Sequence, residues 1–342
     1  MIADELAATA GRLVADDKGL LALDESNATC NRRFAALGIA QTEENRRRWR
    51  HLVITVPLLN RSISGIILYD ETIRQADAHG KPFVTLLRDA GIMVGIKVDT
   101  GAQPLAGFPN ETVTEGLDGL RARLGSYYEK GARFAKWRAV FTVDGAAPSM
   151  GCIEVNAHAL ARYAALCQET GLVPIVEPEL LMAGKHDIAV CGALSEIILH
   201  AVFNEMSRQR VMLEGMILKP NMVLAGLSSI HQQPVDVIAD ATMQCLLRSV
   251  PAAVPGIAFL SGGQSPQLAS ARLNAMNVRF RSRQPWPLAF SYARAIQQPA
   301  LELWLGDDNN ETIAQAAVLH RAECNRAARR GQYCLLGDTY AS

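Results

Sequence analysis

Short apolar, β-branched runs recur along the chain, and each ends in a polar or charged group. In order they are LLALDES closing on Asp24, ISGIILYD on Asp70, IMVGIKVD on Lys97, RFAKWR on Lys136, LVPIVEPE on Glu177, MILKP on Lys219, IAFLSGG on Ser261 and PLAFSYAR on Ser291. Between them apolar positions return at helical spacing. Leu117, Leu120, Leu124 and Tyr127 run to Gly131, and Leu160, Tyr163 and Leu166 run to Gly171. A glycine just past the last periodic position is a common helix stop.

Strands that are apolar almost without interruption are buried on both faces, as in a parallel sheet covered by helices. Eight strand-helix steps predict an α/β fold of the closed (β/α)8 TIM-barrel type. No charge block, Ser/Gly linker or low-complexity tract breaks the chain before about residue 330, which predicts one catalytic barrel domain over 1–330 and a short C-terminal tail over 331–342. A doubly wound open sheet is the alternative. It would place a glycine-rich turn after the first strand, where this chain has Glu25, Ser26, Asn27 and Ala28.

Composition narrows the partners. The chain has 342 residues, 49% of them hydrophobic and 20% charged, enough to bury a large core. Lys plus Arg and Asp plus Glu both total 34, so no net field draws the molecule to nucleic acid or to anionic lipid, and any phosphate must be bound locally. Residues 1–15 mix Asp4, Glu5 and Arg12 into a short apolar pattern, and no later apolar run reaches the roughly 20 residues of a membrane span. The expected setting is cytoplasmic. Seven scattered cysteines without a C-x-x-C pair read as reduced structural thiols, and seven histidines without an H-x-x-x-H pair predict no metal site.

In such a barrel chemistry gathers at the C-terminal ends of the strands, here carrying Asp24, Lys97, Lys136, Glu177, Glu179, Lys219 and Ser261. Lys219 follows Met216, Ile217 and Leu218, so its amine would emerge from apolar walls that disfavour the ammonium, with Lys136 and Arg138 as repelling neighbours. A neutral amine attacks carbonyls; equally, each lysine could merely end a buried strand in water. Glu177 and Glu179 lie on one side of an extended strand. They suit the acid and base steps of carbinolamine dehydration, or could balance Lys136 and Arg138. Asp24 is either a proton acceptor or part of a helix cap.

Anion sites follow. Ser261, Gly262 and Gly263 expose backbone N–H groups after the seventh strand, and Arg294, three residues past Ser291, can clamp the same phosphate. A structural tight turn is the plainer alternative for the glycines. Ser26, Thr29, Arg32, Arg33 and Lys97 offer a second anion site, unless Arg32 and Arg33 are only a solvated helix face.

Six ordered motifs, ALDES at Asp24, GIKVD at Lys97, FAKWR at Lys136, VPIVEPE at Glu177, LEGMILKPNM at Lys219 and LSGGQS at Ser261, resemble class I fructose-1,6-bisphosphate aldolases. Further family-like stretches are PLAG at Pro104, GLDGL at Gly116 and FSYAR at Phe290, so the likeness runs from about Gly19 to Gly331. The resemblance implies Lys219 as the Schiff-base lysine and Glu177 as the general acid and base, with Asp24, Lys136 and Glu179 as electrostatic and proton-handling partners and Arg138 holding the charge network. It puts one sugar phosphate on Ser261, Gly262 and Arg294 and the other near Ser26, Thr29, Arg33 and Lys97. It implies no cofactor and no metal, and a homo-oligomer, usually a tetramer. Other Schiff-base barrels, such as transaldolases, and a non-catalytic sugar-phosphate-binding barrel are the rivals. Three departures stand out, the mildest being Thr29, which stands where a serine is common and keeps the hydroxyl. Ala293 replaces the usual glycine before Arg294, where a turn needing positive φ would be strained. The tail through Tyr340 is short, so Tyr340 cannot be assumed to act as the terminal tyrosine of animal members does.

Overall fold

The computed structural model describes residues 2–143, 148–334 and 338. Among the described residues there are ten strands: β1 (Gly19–Leu23), β2 (Ile63–Leu68), β3 (Met93–Lys97), β4 (Gly101–Pro104), β5 (Thr112–Glu115), β6 (Phe134–Phe141), β7 (Val173–Leu180), β8 (Ile217–Leu218), β9 (Ile257–Phe259) and β10 (Leu288–Tyr292). Eight of them close a parallel barrel in the order β1-β10-β9-β8-β7-β6-β3-β2. Every apolar run read from the sequence is one barrel strand. The β4-β5 antiparallel hairpin was not anticipated, because its mostly exposed residues carry no apolar pattern.

Two runs end differently from the reading. The second strand stops at Leu68, and Asp70 opens the short helix Asp70–Ile73, where it accepts from Arg74 at 2.8 Å and from the Tyr127 hydroxyl at 2.7 Å. The sixth is only two residues long, but Lys219 N–H still donates to the Val176 carbonyl at 2.8 Å and holds the strand end in the barrel.

Alternate strand positions face the barrel axis. Leu20, Ala22, Ile67, Phe134, Val173, Ile175, Ile217, Ala258 and Ala289 fill its lower half and pack against Leu6, Ala10 and Leu13 of the first helix, Ile2–Leu13, which stops the N-terminal end. The larger core lies between strands and outer helices, around the fully buried Trp49, Trp137 and Trp304. Five of the seven cysteines are buried there and all seven are unpaired, in keeping with structural thiols.

The outer helix Ile188–Arg208 is, by length and composition, apolar enough to cross a membrane, so the expectation of no span-length segment was too strict. It packs Cys191, Leu194, Ile198, Leu199, Val202 and Met206 inward in the barrel's helical layer.

Glycines on β2 and β3 make room for one ring. A Cβ at Gly65 would stand 2.9 Å from Phe134 Cε1, and one at Gly95 would overlap the same ring more severely. Gly95→Ala is expected to destabilise the barrel by about 1–3 kcal/mol through overpacking. In thermal or denaturant unfolding, Phe134→Leu in the same chain should recover part of that loss. Strictly additive losses would show that the two positions do not compete for the same space.

Candidate active site

The charged layer is the next step of the same alternation. Asp24 follows Ala22 by two residues, Lys136 follows Phe134, Glu177 follows Ile175, Lys219 follows Ile217 and Ser291 follows Ala289, so each points to the axis directly above an apolar neighbour. The lower core therefore sets a low-dielectric floor beneath five polar groups, all at most 7% exposed.

Lys136 Nζ lies 2.7 Å from Asp24 Oδ2 and 3.2 Å from Glu177 Oε2, while Lys219 Nζ lies 3.3 Å from Glu177 Oε1. Glu177 thus stands between the two amines. Two ammonium and two carboxylate groups cancel, which is how charges this buried are accommodated. Burial raises the Asp24 carboxyl, but Lys136, Lys219 and Lys97 outweigh it and bring it to about 2. Burial likewise pushes Glu177 upward, and Lys136, Lys219 and Arg138 carry it below the ordinary carboxylate value. For Lys136 burial favours proton loss, yet Asp24, Glu177 and Asp99 hold it above the ordinary lysine value.

Three sequence expectations change here. The nearest charge to Lys219 is a carboxylate, not a repelling cation, because Lys136 is neutralised by two acids and Arg138 turns to Glu179. Glu177 and Glu179 do share one side of β7, but Glu177 serves the lysines and Glu179 serves Arg138. Asp24 caps no helix. Ser26 is the N-cap of helix Asn27–Ala36, its hydroxyl accepting from Thr29 N–H at 3.3 Å, which leaves Asp24 to Lys136.

All the site residues read from the sequence line one cavity of about 710 Å³ except Gly263. Gly262 and Gly263 have φ of 56° and 80°, and the helix they lead to begins only at Pro266, capped by Ser265. Gly263 belongs to that turn rather than to the mouth. Ser291 is buried with a hydroxyl that has no protein partner, and Arg294, exposed, opens helix Arg294–Trp304. Ala293 sits at φ −101°, outside the left-handed region, so the strain expected from replacing glycine does not arise. Across the cavity Arg32 donates to Thr29 Oγ1 at 3.0 Å, and Arg33 is paired with Glu25 at 2.6 Å. Lys97 is paired with Asp99 at 2.6 Å.

Asp99 was missed. It is 7% exposed and also accepts from Arg138 N–H at 3.2 Å. Its position two residues past Lys97, on the same face of an extended run, was the available signal. Glu25, Tyr69 and Gln298 also line the cavity without having been singled out. Tyr340 lies outside the described residues. Away from the mouth, Asp338 of the tail gathers with His320 and Cys324, ligand atoms within 4.8 Å of one another, a grouping that histidine spacing did not suggest. Arg321 and the Tyr333 hydroxyl bind the same carboxylate, so a guanidinium already opposes a cation there.

The fold and site together define a (β/α)8 barrel enzyme with a buried lysine–carboxylate cluster at the C-terminal mouth and cations around its rim. The chain belongs to the class I fructose-bisphosphate aldolase family, whose model matches residues 5–341. It is therefore a lyase acting on sugar phosphates, which sets aside the transaldolase and non-catalytic readings. It is 53% identical over 334 residues to a probable fructose-bisphosphate aldolase class 1 of Xanthomonas campestris, covering 97% of this chain and 99% of that one. It is 49% identical over 331 residues to a cytoplasmic fructose-bisphosphate aldolase isozyme of Cicer arietinum, covering 96% and 92%. A crystal structure of fructose-bisphosphate aldolase from Plasmodium falciparum superposes with a TM-score of 0.95 at 44% identity, over 97% of this chain and 96% of that one.

The depressed carboxyl values set a pH window. Because the Asp24 value falls on folding from 3.8 to about 2, its contribution to stability is complete above the first value and is lost as pH falls towards the second. The difference in unfolding midpoint between the parent chain and Asp24→Asn should stay constant down to about pH 4 and then narrow towards pH 2. A difference unchanged across that window would contradict the assigned ion pair.

Proposed function

We propose that Lys219 forms the Schiff base with open-chain fructose 1,6-bisphosphate and that Glu177 handles the protons of its formation. The observation that carries this is the 3.3 Å separation of Lys219 Nζ from Glu177 Oε1 at a buried strand end. Glu177, ionised at rest, takes a proton from the Lys219 ammonium. The amine then adds to the C2 carbonyl, and Glu177 returns the proton to the carbinolamine hydroxyl, which leaves as water. The resulting iminium is the electron sink.

A carboxylate, Asp24 or Glu177, next accepts the proton of the C4 hydroxyl. The C3–C4 bond breaks, its electrons enter the enamine on Lys219, and glyceraldehyde 3-phosphate leaves. Protonation at C3 and hydrolysis release dihydroxyacetone phosphate and restore the amine. Every step is reversible. Lys136, held protonated between Asp24 and Glu177, keeps both carboxylates ionised and close, and the Glu179–Arg138 pair carries the network towards the rim.

Ser261, Gly262 and Arg294 would take one phosphate, with Ser291 beside them. Ser26, Thr29, Arg33 and Lys97 would take the other. In the same reading the enzyme is cytoplasmic, as the Cicer relative is named, with residues 1–330 as the catalytic body and 331–342 as a tail. It is a homo-oligomer, a tetramer by family resemblance, and exposed Val190, Ile197, Val237 and Leu247 on neighbouring outer helices are apolar surface that subunits could cover.

Borohydride reduction in the presence of dihydroxyacetone phosphate should attach the three-carbon adduct to the peptide containing Lys219 and to no other, and cleavage should persist in EDTA. Lys219→Met should abolish both adduct and cleavage; normal turnover by that variant would remove the assignment. For the rim, Lys97→Ala should raise KM for fructose 1,6-bisphosphate by about tenfold, the loss of one charged contact, and leave KM for fructose 1-phosphate nearly unchanged. Steady-state kinetics on the two sugars read the difference.

A further inference from the structure

Arg33 and Gln298 meet across the seam where the barrel closes. Arg33 projects from helix Asn27–Ala36, which follows β1, and Gln298 from helix Arg294–Trp304, which follows β10. Gln298 Oε1 accepts from Arg33 Nη2 at 2.9 Å and from Nε at 3.2 Å, and Glu25 Oε2 accepts from Nη1 at 2.6 Å. Gln298 Nε2 in turn donates to Glu302 Oε1 at 2.9 Å. That last bond settles the amide's orientation, since a flipped amide would set NH₂ against the Arg33 donors and its carbonyl against a carboxylate.

An arginine carries five N–H donors. Gln298 takes two of those on Arg33, along the Nε–Nη2 edge, and Glu25 takes one on Nη1. One donor on each terminal nitrogen is left for an anion. The side edge, the usual bidentate seat for a phosphate, is already filled by a neutral carbonyl, while the Glu25 carboxylate at 2.6 Å offsets part of the guanidinium charge. Gln298 also lies four residues beyond Arg294, on the same helix face, and both line the cavity.

We propose that Gln298 is a positioning residue for substrate. It occupies the side edge of Arg33, directs the terminal N–H groups into the mouth for an end-on contact with the second phosphate, and links that half-site to Arg294 through one helix. This rests on Arg33 binding phosphate, as proposed above. It also supplies a reason for the polar side chain at 298, which touches no part of the lysine–carboxylate cluster.

The test is steady-state kinetics of the parent chain, Arg33→Ala, Gln298→Ala and the double variant on fructose 1,6-bisphosphate and fructose 1-phosphate. Gln298→Ala should raise KM for the bisphosphate about 5- to 10-fold, leave kcat within about twofold, and leave the monophosphate unaffected. Added to Arg33→Ala, it should change nothing further, because the group it positions is gone. If Arg33→Ala has no selective effect on the bisphosphate, the phosphate assignment itself fails. If Arg33→Ala is selective but Gln298→Ala is silent, or slows both sugars equally, the positioning role is overturned while that assignment stands.

Discussion

Glu177 bridges two amines where little of any of the three meets solvent, and most of the site's design follows from that contact. A carboxylate with one oxygen 3.2 Å from Lys136 and the other 3.3 Å from Lys219 cannot be removed without leaving uncompensated charge over an apolar floor. In the proposed mechanism the same contact serves as a proton path, because the group that neutralises Lys219 is also within reach to deprotonate it. Asp24 completes the balance on the far side of Lys136. Stability and chemistry here draw on one set of charges, so the site can be buried and reactive at once.

The barrel beneath makes that arrangement affordable. Strand alternation sends every second residue to the axis, and the chain uses it to lay apolar side chains low and ionisable ones one step higher. Phe134 fills the lower barrel because Gly65 and Gly95 lack side chains opposite it, and two residues further along β6 the backbone delivers Lys136. Packing below and charge above are therefore coupled through the same strands.

The rim is built on a looser plan. Its cations are mostly held by nearby acceptors, Lys97 by Asp99 and Arg33 by Glu25 and Gln298, rather than left pointing at solvent. Holding them this way costs some of their donor capacity and returns fixed direction, which suits recognition of a phosphate of defined geometry. The seam between the first and last barrel strands carries the Arg33–Gln298 contact, since the loops and helices after β1 and β10 are neighbours only because the barrel closes.

Much of this could be read from residues in a line. The eight barrel strands announced themselves through continuous apolar runs, because burial on both faces leaves no polar alternation to confuse them. The polar residue at every run's end but the second pointed to the mouth, and ordered motifs around Lys219, Glu177 and Asp24 pointed to the family. The exposed hairpin Gly101–Glu115 had no such pattern, and Asp70 looked like a strand end until it proved to open a helix. Partnership was decided only in three dimensions. Which carboxylate lies against which lysine, why Asp24 is free of capping, and that Gln298 seats Arg33 from 265 residues away all depend on barrel closure and strand stagger. Local sequence sets which groups a strand offers and on which face; the distance between groups on different strands is a property of the closed sheet alone.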